Sequence, residues 1–497
     1  MTTPGEQDWI RPADSGPAVN VTPADTDTDT GSVDLMAAVA AGLGMFLASL
    51  DIALNVALPS ITEDFDTDLQ TVQWVIVAFV ATRAGLVLGV GSFGDRFGLK
   101  PVYLFGAAIY VLAMVLIAFS PNLGTMVGFR IIQALSVGCL YAVSPAIAAK
   151  AFPVGMRGLG MGFTAGSQAL GMLAGTLGAG LLVRWFEWES VFLGRIPFAA
   201  LALIIALKFM KGEEGQSSET SFDVVGAVSL IGALLGLVIG LRLGRSEGWT
   251  SPEVLALLSV APVLLVVFWR AEKRAEWPVL PLGLLRVRGF AISAACMFLA
   301  HLGVFVIWFI FPFYIADNLG KGPFTLGVML AVMAFLNTGF SGVGGWLIDR
   351  VGTFSVGVVG LTVMALGLLY MGFLSSDSGL GQVGIRIAVV GIGLGLFQAA
   401  AYTLMLGSVS QDRFGTAAAT LSLAQAMGTV LAVAIIGGIF GFSNDHNLAE
   451  LANSALTAGE QETRAFMQAF QDVFWLGAGI AAIGATVYLF SRRSKVL

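Results

Sequence analysis

Gly91-Ser-Phe-Gly-Asp95-Arg96-Phe-Gly98 and Gly345-Trp-Leu-Ile-Asp349-Arg350-Val-Gly352 read as two copies of one loop, each closing a long apolar segment. From Asp95 to Asp349 the offset is 254 residues, and 256 separates both Arg130 from Arg386 and Arg157 from Arg413. A membrane chain whose halves repeat in the same direction has a pseudo-two-fold axis along the bilayer normal. In such two-bundle architectures the binding site lies between the halves near the midplane. The glycines permit a tight turn. The Asp-Arg pairs stand where helix ends converge, so that a carboxylate meets a helix N-terminus and a guanidinium meets a C-terminus. Gly91, Asp95, Arg96, Gly98 and Lys100, with Gly345, Asp349, Arg350 and Gly352, are therefore expected to form a conformational gate that latches in one state and parts in the other.

Composition supports a membrane chain. Hydrophobic residues make up 57% and charged residues 12% of the 497, against about 25% charged in soluble domains. The 63 glycines suit helices packed closely in lipid. Cys139 and Cys296 both fall inside apolar segments, which argues against a disulfide framework. Residues 1–32 are polar and acidic and read as a disordered cytoplasmic tail ahead of an uncleaved first helix.

A spanning helix needs about 20 mostly apolar residues. That rule predicts fourteen spans, near 34–58, 71–91, 101–119, 123–147, 158–183, 189–208, 223–243, 252–270, 289–314, 323–345, 354–374, 381–406, 415–440 and 468–490. With the N-terminus inside, sixteen Lys and Arg residues fall on the inner side and five in outer loops, so both termini are expected in the cytoplasm. The fold class is thus all-α and polytopic. The repeat divides it into a six-helix bundle at 33–210, a linker with two inserted helices at 211–288, a second six-helix bundle at 289–490 and a tail at 491–497.

Charges inside a bilayer cost about 2.5–3.5 kcal/mol each on insertion scales, so each is a functional candidate. Here they are Asp51, Arg83, Arg130, Arg195, His301 and Arg386. Counting about 1.5 Å per residue from the helix ends places Asp51 and Arg130 at matching depth, with Arg83 roughly a turn deeper. An Asp51–Arg130 pair is expected. Either it clips helices together statically, or Asp51 exchanges a proton and its partner shifts. Arg195 and Arg386 are read as lying nearer the outer surface. His301, near the position that the repeat projects from Asp51, is a second candidate for proton coupling because imidazole titrates in the working range. The same residue on a helix can equally be hydrogen-bonded structure. Arg83, Gln133, Trp308, Asn337, Gln398, Tyr402 and Gln425 are candidates for lining an amphipathic substrate cavity. One carboxylate facing several arginines favours anionic or zwitterionic solutes over organic cations.

At these residues the chain resembles the major facilitator superfamily, and within it the fourteen-helix drug:proton antiporters. Gly91 to Lys100 resembles the superfamily's loop signature. Leu50-Asp51-Ile-Ala-Leu-Asn55-Val-Ala-Leu-Pro59 resembles the branch's first-helix motif, Arg130-Ile-Ile-Gln133 the fourth-helix motif linked to proton coupling, and Arg184-Trp-Phe-Glu-Trp188 the Trp-rich entry to helix 6. The chain departs from the pattern at Leu99 and Pro101, at Ala134, at Thr176 where the fifth-helix motif has proline, and at Arg83 and Arg195, where residues are normally uncharged. The resemblance implies an inner-membrane transporter exchanging small amphiphiles or drugs for protons by alternating access. It implies no cofactor beyond the proton gradient, no nucleic-acid partner and a monomer. The alternatives are a facilitator, an importer or a lipid-class exporter for an anionic solute. With two histidines, no metal-ligand spacing and no nucleotide loop, an enzyme is not expected.

Overall fold

The computed structural model describes residues 33–83, 86, 98–153, 157–210, 224–246, 248, 250–274, 283–409, 414–452 and 454–493. Gly91, Asp95 and Arg96 lie outside the described residues, and so does Arg413.

Among the described residues all regular structure is helical. The chain runs through α1 (Leu35–Ser49), α2 (Leu54–Asp64), α3 (Leu69–Val72), α4 (Trp74–Arg83), α5 (Leu99–Ala118), α6 (Leu123–Ala151), α7 (Arg157–Trp185), α8 (Ser190–Leu193) and α9 (Ile196–Phe209). It continues through α10 (Val224–Ser246), α11 (Pro252–Arg274), α12 (Arg288–Phe309), α13 (Phe311–Phe313), α14 (Pro323–Met371), α15 (Leu380–Leu406), α16 (Phe414–Leu451) and α17 (Ala458–Leu489). Among the described residues eleven helical stretches are long and apolar enough to cross a membrane. One of them, α14, holds two expected spans joined at a kink. Among the described residues, shorter apolar helical stretches stand in the second and seventh expected spans, at Trp74–Arg83 and Val228–Leu237.

Helix starts follow local chemistry. The side chains of Asp34, Asp68, Asn122 and Thr457 accept hydrogen bonds from the backbone N–H three residues on, which satisfies donors that a helix leaves open. Thr457 and Glu460 form a reciprocal capping box. The loop repeat carries through to the backbone. Gly98 has φ 86° and ψ 151°, and Gly352 has φ 83° and ψ 154°. A side chain is strained at such a φ, so glycine is required at both sites.

Helices α1, α5, α6, α7 and α9 pack on one another, as do α12, α14, α15, α16 and α17. Helices α10 and α11 form a hairpin that rests on α16. The two larger groups meet most closely near the end that carries Trp188. There a Cβ on Gly327 of α14 would stand 2.5 Å from Thr176 O of α7, and one on Gly180 would stand 3.0 Å from both Pro323 O and Phe324 Cα. Small residues at both positions allow this backbone approach. Helix α2 also touches α13 and α14, and the Gln73 side chain reaches Gly437 of α16. At the same end Trp188 donates from its ring N–H to Asp64 (2.9 Å) and packs on Phe65 and Phe192, which ties the start of the sixth span to α2.

Candidate functional site

The site begins with an interruption in the first span. Between α1 and α2 the chain tightens into a 3₁₀ turn, Leu50–Ala53, that contains Asp51. A stretch of 3₁₀ inside a longer helix often marks a hinge or strain. Here neighbours hold it. Tyr110 donates to Leu47 O (3.1 Å), the carbonyl four residues before Asp51, and Tyr103 donates to Ala40 O (2.5 Å) about two turns earlier. A Cβ on Gly175 of α7 would lie 3.0 Å from Ile52 Cγ2 and 3.2 Å from Leu50 O, so α7 runs against this turn.

Asp51 pairs with Arg130 as the matching depths led one to expect. Arg130 Nη1 donates to Asp51 Oδ1 at 2.5 Å and Nη2 to Oδ2 at 3.0 Å, a bidentate fork. Arg130 is fully buried, and its Nε donates to Val75 O of α4 (3.1 Å). Nη1 also donates to Gln133 Oε1, while Gln133 Nε2 donates to Asp51 Oδ1 (3.1 Å). Sequence-predicted Asp51, Arg130 and Gln133 therefore form one closed network across the first-span turn, α4 and α6. The guanidinium also lies 4.3 Å from the Phe79 ring centroid, within cation–π range.

Arg195 is a correction to its expected place near the surface. It is 3% exposed, its Nη1 lies 3.6 Å from Asp51 Oδ1, and its guanidinium packs 5.1 Å from the Phe192 ring centroid. The cause is a broken start to the sixth span. Helix α8 stops at Leu193, and α9 restarts at Ile196 with Pro197 in its first turn. Arg195 occupies the joint and turns inward. Arg83, the last residue of the described stretch of α4, is half-buried and lies 5.5 Å from the same Phe79 ring, with its charge in electrostatic range of both Asp51 and His301. One carboxylate thus stands among three guanidinium groups.

His301 is buried in α12, where Nδ1–H donates to Met297 O (3.0 Å), so the neutral ring leaves Nε2 as an acceptor. It does not join the Asp51 network directly. Arg386, the repeat mate of Arg130, has a different environment. It donates to Tyr370 O (3.1 Å) and packs 4.2 Å from the Tyr370 ring centroid, one residue before α14 ends. A cation is favourable at a helix C-terminus.

The remaining cavity candidates do not converge on Asp51. Trp308, Asn337, Gln398, Tyr402 and Gln425 are half-buried on α12, α14, α15 and α16. Tyr402 lies in hydrogen-bonding range of Ser422 and in electrostatic range of Tyr141 of α6. Tyr141 in turn accepts from Gln168 of α7 (3.1 Å). Sequence reading overlooked Tyr141 and Gln168, although both are polar groups well inside apolar spans. Of the residues expected to form a gate, Lys100 donates to Met210 O (2.5 Å), just past the C-terminus of α9. Asp349 and Arg350 are exposed, with Arg350 3.9 Å from the Trp346 ring centroid. Asp349 makes no ion pair among the described residues.

Comparison with known proteins places this geometry. The family model described as Major Facilitator Superfamily matches residues 41–224 and 293–496, on either side of the hairpin region. Riboflavin transporter RibZ of Clostridioides difficile (strain 630) is 25% identical over 452 residues, covering 91% of this chain and 96% of its own. The tetracenomycin C resistance and export protein of Streptomyces glaucescens is 28% identical over 400 residues, 80% of this chain and 74% of its own. The methylenomycin A resistance protein of Bacillus subtilis (strain 168) is 28% identical over 431 residues, 83% and 89%. Among solved structures, the POT family transporter PepTSo superposes with a TM-score of 0.66 at 14% identity, covering 93% of this chain and 98% of that one. The duplicated loop, the helical architecture and a family match across both halves agree: the chain is a multi-pass membrane transporter that belongs to the Major Facilitator Superfamily.

Proposed function

We propose that this transporter exports small amphiphilic compounds in exchange for protons, by alternating access in the inner membrane with both termini cytoplasmic. In this reading the bundles at 33–210 and 289–490 are the moving bodies, the fourteen-span drug:proton antiporter branch is the nearest functional type, and the Trp188 end faces outward. The observation that carries it is the bidentate Asp51–Arg130 pair seated in a 3₁₀ turn. A buried ion pair is a poor stabiliser, since desolvation offsets most of the attraction. A carboxylate whose charge is removed by one proton is a useful switch.

Protonation of Asp51 leaves Arg130 and Gln133 with weaker acceptors and leaves three arginines uncompensated. The turn and α7, which touches both it and α14, are then free to rearrange. Each charge moved is worth about 2.3 kcal/mol per 100 mV, enough to drive accumulation. Relatives named for tetracenomycin C export and methylenomycin A resistance support a small amphiphile as substrate.

A second reading, uncoupled facilitation, has one observation in its favour. Thr176 Oγ1 donates back to Met172 O and Leu173 O (3.1 Å each), and α7 runs unbroken where the antiporter pattern has proline. Reconstituted vesicles with an imposed pH gradient and a lumenal pH dye separate the two. Substrate-evoked proton flux that vanishes in Asp51→Asn is the expected result. Substrate movement without proton flux would establish facilitation instead.

A further inference from the structure

We propose that Arg195 is a positioning residue for Asp51, the second partner to which the carboxylate passes when it lets go of Arg130. The inference rests on the proton-coupled reading for why the pair must part, and it names where the carboxylate goes. Asp51 is satisfied as it stands. Oδ1 accepts from Arg130 and Gln133, and Oδ2 accepts from Arg130. A second guanidinium is not needed to complete these bonds. Arg195 Nη1 nevertheless lies 3.6 Å from Oδ1, within ion-pair reach and beyond a hydrogen bond.

Two neighbours hold Arg195 at that distance. The Tyr110 hydroxyl of α5 lies in hydrogen-bonding range of the guanidinium while it donates its own proton to Leu47 O (3.1 Å). That leaves the phenolic lone pairs for an arginine N–H. The Phe192 ring centroid stands 5.1 Å from the guanidinium. Held so, Arg195 is 3% exposed and its three nitrogens make no aligned hydrogen bond among the described residues. A guanidinium buried in this way carries a desolvation cost that no fork offsets, so it is a poor static clip. It becomes useful when the carboxylate moves.

The geometry fits a short move. Asp51 sits in the 3₁₀ turn, and its side chain keeps 17% of its surface exposed, whereas Arg130 is wholly enclosed and anchored by Val75 O and Gln133. Closing 3.6 Å to a charged hydrogen bond needs a shift of about 0.8 Å. That exchange frees the turn from α4 and α6 and ties it to α5 and the α8–α9 joint. Arg83, the remaining cation facing Asp51, acts on it through charge.

Infrared difference spectra of the purified full-length chain in detergent at neutral pH, each taken against the same background carrying Asp51→Asn, read whether Asp51 is ionised. The parent, Arg195→Gln and Arg130→Gln should all show the carboxylate band, because one arginine remains in each single variant. Arg130→Gln with Arg195→Gln should lose that band and show the protonated acid, since a buried carboxylate without a partner takes up a proton. Arg130→Gln with Arg195→Lys should recover the carboxylate band, which a packing role for Arg195 would not produce. Where the first double variant does not fold, Arg130→Gln with Arg195→Met, apolar and of similar length, repeats the test. A protonated Asp51 in Arg130→Gln alone, or an ionised one in either double variant that lacks both arginine charges, would overturn the proposal. The expected spectra beside proton flux that persists in Asp51→Asn would overturn the coupling reading alone.

Discussion

Arg130 ties three segments together through one planar group: Val75 of α4, Asp51 of the first-span turn, and Gln133 of its own helix. Lysine cannot reproduce this, because its three donors radiate from a single atom. Arg130→Lys should therefore lower the thermal midpoint and reduce gradient-driven transport at least about tenfold, since losing a charged hydrogen bond costs about 1.5–3 kcal/mol. Arg130→Ala should melt lower still. Removing one partner of a buried pair costs about 3–5 kcal/mol, here softened by Arg195 at 3.6 Å from Asp51. Thermal unfolding of both variants in detergent checks the order, and equal midpoints would show that the pair does not hold the fold. This pair was legible in sequence because lone charges are costly in lipid and depth follows from a fixed rise per residue. Arg195 was misread because its depth counted from the helix start is shallow, and only the α8–α9 break shows its side chain turning inward. His301 was projected onto the place of Asp51 by the repeat, yet its Nδ1 is committed to Met297 O of its own helix.

Helix α7 shows what glycine content does and does not reveal. Its glycines announce close packing, while the identity of the neighbour is a tertiary fact. Gly175 rests on the Asp51 turn, and Gly180 crosses Gly327 of α14. One helix thus touches both the titratable turn and the opposite group of helices. Thr176 lies between them, fully buried, its hydroxyl returned to Met172 O and Leu173 O so that no polar group is stranded. Adding bulk at the crossing should act on both links. In Gly327→Val the new Cβ would meet Thr176 O at 2.5 Å, a backbone atom that can yield only if the helices part. The expected cost is about 1–3 kcal/mol, typical of overpacking. The midpoint of thermal unfolding should fall accordingly, and thiol labelling of Thr176→Cys, unreactive in the parent, should accelerate in the valine background. An unchanged labelling rate would mean that the crossing is not a moving contact.

At the scale of the molecule, the described contacts between the two helical groups that hold α2, α7 and Gln73 against α13, α14 and Gly437 gather at the Trp188 end. At the other end, Asp349 and Arg350 are exposed, with no ion pair for Asp349 among the described residues. The family fold and the doubled loop were legible because duplication leaves the same residues at the same offset, and the backbone repeats it at Gly98 and Gly352. Which end the described contacts join was not legible, since that depends on side chains meeting across the pseudo-axis. The alternating access proposed above requires this end to open once per cycle. Tethering it should stop transport without unfolding the chain. Gln73→Cys with Gly437→Cys joins α16 to the residue before α4, where the glutamine side chain already reaches the glycine. Cys139 and Cys296 are buried, and replacing both with alanine leaves the new pair as the reactive one. Oxidation should bring transport to background and reduction should restore it. A tether within one group, Ser443→Cys with Asp472→Cys in place of their hydrogen bond, should leave it running. Transport that continues through a fully formed Gln73–Gly437 tether would mean that substrate crosses without the two groups separating at this end, and a rocking motion of rigid bundles would have to be abandoned.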